Sequence, residues 1–251
     1  MVRFLSSLFL LSQLTVGAWA AVPINYYVIA SQAQPFQIEE KADEHGGIVT
    51  DIVRAIFEDS SHDIVYHTYP FNRMISILEA GGEENWITYG SPNWGGVQAE
   101  NLSDLPIYTV KHSIVMSSDN PINFVGMHSV SEKGIVLLRG FDYAEIQPYF
   151  NDGSVEEVRV KDYQAAFRVV SRLPGDMAFV EMDSRVKYNL GKLGLKKEDF
   201  SIQPFGSVIK DYPIYLALSP TMDSELQAFI NQRLGLLKES GKLDEILSKY
   251  I

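Results

Sequence analysis

The chain of 251 residues contains no cysteine. That absence excludes a disulfide, a thiolate metal site and a cysteine nucleophile. Basic charge is scarce: 21 Lys and Arg stand against 32 Asp and Glu, a formal net charge of −11. Such a surface repels phosphate backbones and anionic lipid, so nucleic acid is not an expected partner. The chain also lacks Gly-x-Gly-x-x-Gly, Gly-Lys-Ser/Thr and Gly-x-Ser-x-Gly, the marks of dinucleotide, P-loop and serine-hydrolase sites. Its five histidines, His45, His62, His67, His112 and His128, fall at no zinc-binding spacing. No cofactor or metal is expected.

What is present is an ordinary globular composition, 46% apolar and 21% charged. Residues 1–20 read as an export signal. Arg3 precedes an apolar stretch, and Ala18-Trp19-Ala20 sets small residues before a cut at Ala21. With no cysteine at that cut there is no lipid anchor, so the expected location is the periplasm, free of the membrane.

From there the pattern alternates strands and helices, the mark of an α/β protein. Strands are expected at residues 24–30, 63–69, 86–89, 134–138, 155–160, 176–181 and 212–218. A longer strand-like stretch covers 107–117. Ile48, Ile52 and Ile56 recur at i+4 over 48–57, an amphipathic helix. Further helices are expected from Pro70 to Gly81, over 142–150, after a capping Asp162, after Ser219-Pro220 and over 242–250. The acidic run 39–44 reads as a solvated hairpin or loop.

This order of elements resembles the bacterial extracellular solute-binding proteins of family 3, which serve polar amino-acid importers. The resemblance rests on Pro35-Phe36 after the first strand, Gly47 with Asp51-Ile52, and Pro70-Phe71-Asn72-Arg73 with Leu78 and Gly81. It continues through Leu105-Pro106-Ile107-Tyr108, residues 134–138 with Gly140, and a tail with Asn231, Gly241, Ile246 and Tyr250. It implies a two-lobed, type II periplasmic-binding fold, each lobe a mostly parallel sheet flanked by helices. Lobe 1 would be residues 21–112 and 216–251, and lobe 2 residues 113–215. The implied function is capture of a small polar or aromatic solute in the cleft by a monomer, which passes it to an ABC permease. A sensing module for a receptor is the alternative. An enzyme similar to cyclohexadienyl dehydratase, with Glu181 as its acid, is another.

The same resemblance directs attention to the cleft. Family members that bind amino acids place an arginine after the third strand, where a guanidinium fork clamps the ligand carboxylate. Here that loop, residues 88–97, holds no Arg or Lys. Its candidates are Tyr89, Ser91 and Trp94. Phe36, Phe71, Phe141 and Tyr143 fall at other cleft positions and offer aromatic faces to planar or cationic solutes. Arg73 and Arg139 are the candidates for an anionic group, with a salt bridge to Glu39, Glu40 or Asp51 the alternative for Arg73. Glu181 or Asp183 would meet an ammonium, although Met182 aligns best.

Overall fold

The computed structural model describes residues 23–41 and 44–251; the expected export signal lies outside the described residues. The chain folds into two α/β lobes. The first begins with β1 (Ile24–Ile29), an apolar strand buried along its whole length. It pairs in parallel with β4 (Ile64–Tyr69) on one side and β5 (Trp86–Gly90) on the other. Between β1 and β4 lie the hairpin β2 (Ile38–Lys41) and β3 (Glu44–Gly46), then α1 (Ile48–Phe57), whose Ile48, Ile52 and Ile56 are buried as their spacing requires. Gly47 starts that helix at φ 102°, and a Cβ there would press on the carbonyl oxygens of Pro35 and Phe36. Only glycine fits.

The stretch 107–117 is two strands rather than one. β6 (Tyr108–Val110) belongs to the first sheet and β7 (His112–Ser117) to the second, so the chain changes lobe at Lys111. In lobe 2, β8 (Gly134–Leu138) lies parallel to β9 (Glu156–Val160) and β10 (Met177–Met182), while β7 runs antiparallel to β10 and to β11 (Phe200–Pro204). The chain returns through β12 (Tyr212–Leu218), antiparallel to both β5 and β6. The sheet orders are β4-β1-β5-β12-β6 and β11-β7-β10-β8-β9. Both sheets are mixed rather than mostly parallel, because the crossing strands join antiparallel. All of β12 pairs within the first sheet, so residues 212–215 lie with lobe 1 and the return crossing is 205–211. The Phe205 N–H donates to the His112 carbonyl at 2.9 Å and ties the two crossings together.

Local chemistry decides several helix boundaries. Asp162 accepts from the Ala165 N–H and caps α5 (Tyr163–Arg172) as expected. The helix expected over 142–150 is only α4 (Gln147–Asn151). Pro148 has no N–H and suits a first turn but breaks an interior, so the helix cannot begin five residues earlier. Ser219 forms a turn with Thr221 and Met222 instead of a cap. The helix that follows, α7 (Ser224–Glu239), is capped by Asp223, which accepts from the Glu225 and Leu226 N–H groups. α8 (Lys242–Ser248) closes the chain, and Tyr250 accepts from the Gly47 N–H and donates to Asp51.

Candidate functional site

A cavity of about 440 Å³ lies between the lobes, within the usual range for small-molecule sites. Its lobe 1 wall starts from the turn after β1. Gln37 accepts from the Ile29 N–H and donates to Tyr26 Oη and the Tyr27 carbonyl, which pins that turn to the strand. Phe36 is thereby held fully buried, stacked on Tyr89 with centroids 5.8 Å apart. It supports the wall rather than lining it. Tyr89 leads to Gly90, where a side chain would overlap the Gln98 carbonyl. That close approach brings the loop to Trp94 over the cavity, ahead of α3 (Val97–Glu100). Ser91 is buried and donates to the Pro213 carbonyl at 2.8 Å, so its hydroxyl fastens the loop to β12. Trp94 Nε1 donates to Tyr212 Oη at 3.0 Å.

Phe71 opens α2 (Phe71–Glu79) and meets Phe141 of lobe 2 edge-on, with centroids 5.2 Å apart. Phe141 and Tyr143 sit on the turn that follows β8. Gly140 takes φ 90° there, and a Cβ would press on Phe71 and Asn72 across the cleft. Arg159 of β9 braces this turn, donating to the Leu138 and Phe141 carbonyls and pairing with Asp142 at 2.7 Å. Asp142 is therefore spoken for by a cation, and it lies on the cavity wall beside Glu145.

The main charged feature of the cleft comes from a helix that sequence patterning does not reveal. α6 (Asp183–Lys192) carries Arg185, only 2% exposed. Its Nη1 lies 3.4 Å from Glu181 Oε1, and its Nη2 donates to Tyr89 Oη of lobe 1 at 2.9 Å. The guanidinium carbon lies 4.7 Å from the Phe141 centroid and 5.7 Å from that of Phe36, one ring from each lobe. Its Nε–H meets no hydrogen-bond partner among the described residues. Burial opposes the charge on Arg185, but Tyr89 and Glu181 outweigh it and hold the guanidinium protonated, its pKa well above the ordinary value.

Glu181, 1% exposed, is surrounded by donors. Its Oε1 accepts from the Met182 N–H at 2.8 Å and from Tyr143 Oη at 3.3 Å. Tyr163 Oη lies 3.3 Å from Oε2 and 3.1 Å from the Gln32 carbonyl of lobe 1. Burial, reinforced by the Glu181 charge, pushes the Tyr143 and Tyr163 phenols well above their usual pKa, so both remain donors. The network spans both lobes.

Of the ten candidate residues, Phe71, Tyr89, Trp94, Phe141 and Tyr143 line the cavity. Phe36, Ser91 and Glu181 stand behind it. Arg73 is exposed and stacks on Tyr69 at 5.2 Å, while Asp51 is engaged by Arg54 and Lys249. Arg139 is exposed, and its carbonyl accepts from Gln32 Nε2 at 3.4 Å. Neither arginine reaches the cavity wall, because Arg73 on α2 and Arg139 in the turn after β8 both extend toward solvent. Asp183 turns away to Ser113 and Lys187, whereas Met182 lines the cavity. Arg185, Tyr212 and Arg159 are the residues that sequence reasoning missed. No helical spacing marks Arg185, since Glu181 lies in strand β10 while Arg185 lies in α6.

The family model of the bacterial extracellular solute-binding proteins, family 3, matches residues 27–251. A comparison with curated proteins found no match. Among solved structures, one similar chain comes from work on glutathione import in Gram-positive bacteria via GshT and the cystine ABC importer TcyBC of Streptococcus mutans. It has a TM-score of 0.74 and 17% identity, over 92% of this chain and 95% of that one. A histidine kinase sensor domain similar to periplasmic binding proteins aligns with a TM-score of 0.71 and 18% identity, over 92% and 96%. The substrate-binding protein of an amino acid ABC transporter aligns at 0.69 and 20%, over 92% and 99%. At these identities the likeness is one of fold.

Proposed function

The chain belongs to the bacterial extracellular solute-binding proteins, family 3, and from that premise we propose that it captures a small polar or aromatic solute between its lobes for an ABC importer. It acts as an exported monomer in the periplasm, and the partner is a permease of the inner membrane. The observation that carries this reading is the 440 Å³ cavity walled by aromatic rings of both lobes, where a hinge motion between the lobes would change access. A solute held there contacts both lobes at once and so favours their closed arrangement.

The likeness to a histidine kinase sensor domain favours a second reading, in which the same cleft reports its solute to a receptor. Elimination chemistry has weaker support. Glu181 is the carboxyl nominated for it, but that group is engaged by Arg185, Tyr143, Tyr163 and the Met182 N–H and does not line the cavity.

Thermal unfolding of the protein, refolded to strip carried-over solute, tests the capture reading against amino acids, amines, carboxylates and aromatic metabolites. A ligand at 100 times its dissociation constant is expected to add about 2.7 kcal/mol and raise the midpoint by several degrees. A cooperative melt that no compound shifts would sink the reading.

A further inference from the structure

We propose that the cleft selects an organic cation without a free carboxylate, an ammonium or quaternary ammonium group on a small apolar body, in preference to an α-amino acid. This rests on the solute-capture reading and specifies its ligand. The first support is what the walls present. Trp94 packs edge-on against Tyr89 and Tyr212, at 78° and 85°, and all three rings line the cavity. The polar tips of those rings are engaged within the protein, Trp94 with Tyr212 and Tyr89 with Arg185. Tyr143 likewise spends its hydroxyl on Glu181. Beside the polar Asn93, Gln98 and Gln147, a solute meets the surfaces of these rings, whose π electrons attract cations.

The second support is the balance of charge. Among the described residues, Arg185 is the only Lys or Arg on the cavity wall. It is paired with Glu181 and held between Phe36 and Phe141, with its side chain 3% exposed. The Arg185 Nε–H is unpartnered among the described residues, but Nη1 is held by Glu181 and Nη2 by Tyr89, so a carboxylate meets a single N–H there unless it displaces Glu181, which would leave that buried carboxylate uncompensated. The wall's other charges, Asp142 and Glu145, are negative. Arg159 is shared between Asp142 and Glu157 and offsets only one of those two charges, and Glu145 adds a further negative charge on the lobe 2 side. The excess of acidic residues over the whole chain steers cations the same way.

Matched pairs of probes test the proposal by calorimetric titration of the refolded protein: tyramine against tyrosine, phenethylamine against phenylalanine, and choline against glycine betaine. Each pair shares its cationic group and differs chiefly in the carboxylate. The expected result is that the member lacking the carboxylate binds at least about tenfold more tightly in at least one pair. Glu145→Gln is expected to narrow the gap without altering the melt. Equal or tighter binding of the carboxylated member overturns the ligand class and leaves solute capture standing. Absence of binding by every amine, with a midpoint shift from some anionic or neutral compound in the broad panel, does the same. Absence of any shift across that panel removes both readings together.

Discussion

Arg185→Met is expected to destabilise the protein by about 3–5 kcal/mol, because it leaves Glu181 buried with no cation beside it. Most of that loss is the penalty on the surviving charge rather than the strength of the pair, and the double variant Glu181→Gln/Arg185→Met separates the two. Gln keeps an acceptor for Tyr143 and Tyr163 and removes the charge. Urea unfolding is expected to find the double variant more stable than Arg185→Met alone by about 1–2 kcal/mol. A single variant that costs under about 1 kcal/mol, or a double variant that costs the sum of both singles, would place the pair outside any real coupling. The same substitution also cuts the Arg185 to Tyr89 bond between the lobes, so the arginine joins cleft chemistry to hinge position.

The second large effect belongs to His112, at the first crossing between lobes. It is 2% exposed and packs against Tyr143 of lobe 2 and Tyr212 of lobe 1. Neither ring nitrogen meets a hydrogen-bond partner among the described residues. Burial first, and then the Arg185 charge, lower its pKa to about 3. An unfolded histidine titrates near 6.5, so between those values the unfolded chain takes up a proton that the folded chain refuses. Stability contributed by neutral His112 is complete above about pH 6.5 and falls as the pH drops toward 3. At pH 5 the loss is about 2 kcal/mol relative to pH 8. His112→Phe keeps the aromatic packing and cannot take up the proton. Urea unfolding at both pH values is expected to find the wild-type protein losing about 2 kcal/mol more than the variant. Equal losses would mean that the ring is hydrated or paired in solution.

The elements that could be read in the sequence are those whose signals are local. Helix α1 follows from one apolar stripe, and the start of α5 from one capping aspartate. Strand β8 is Gly134 followed by four apolar residues, Ile135 to Leu138, and is buried throughout. One misplaced boundary occurs where two local signals compete: Ser219-Pro220 and Asp223 are both of helix-start type, and it is Asp223 whose side chain caps α7. The break at Lys111 has no local mark, since the residues on both sides favour strand and only membership of two sheets separates them.

Helix α6 escaped notice because its buried face includes Ser184, Arg185 and Asn189 beside Val186 and Leu190, which makes it look like a solvated segment. The candidate site divides in the same way. Aromatic residues beside the ends of strands and helices could be anticipated, because those ends face the cleft. Arg185 and Tyr212 could not, since their roles depend on partners far along the chain, Tyr89 and Trp94. Arg73 and Arg139 are suitable by position, but a side chain's direction out of a helix or a turn is not written in its neighbours.

One measurement bears most directly on the claim that a single solute is gripped by both lobes. The tightest ligand from the panel is titrated calorimetrically into the wild-type protein, Trp94→Ala of the lobe 1 wall and Tyr143→Ala of the lobe 2 wall. One site per chain and a loss of at least about tenfold in both variants is the expected result, since a stacked ring in a desolvated cleft contributes about 1–3 kcal/mol. Wild-type affinity in both variants would mean that the solute binds elsewhere and would contradict the account.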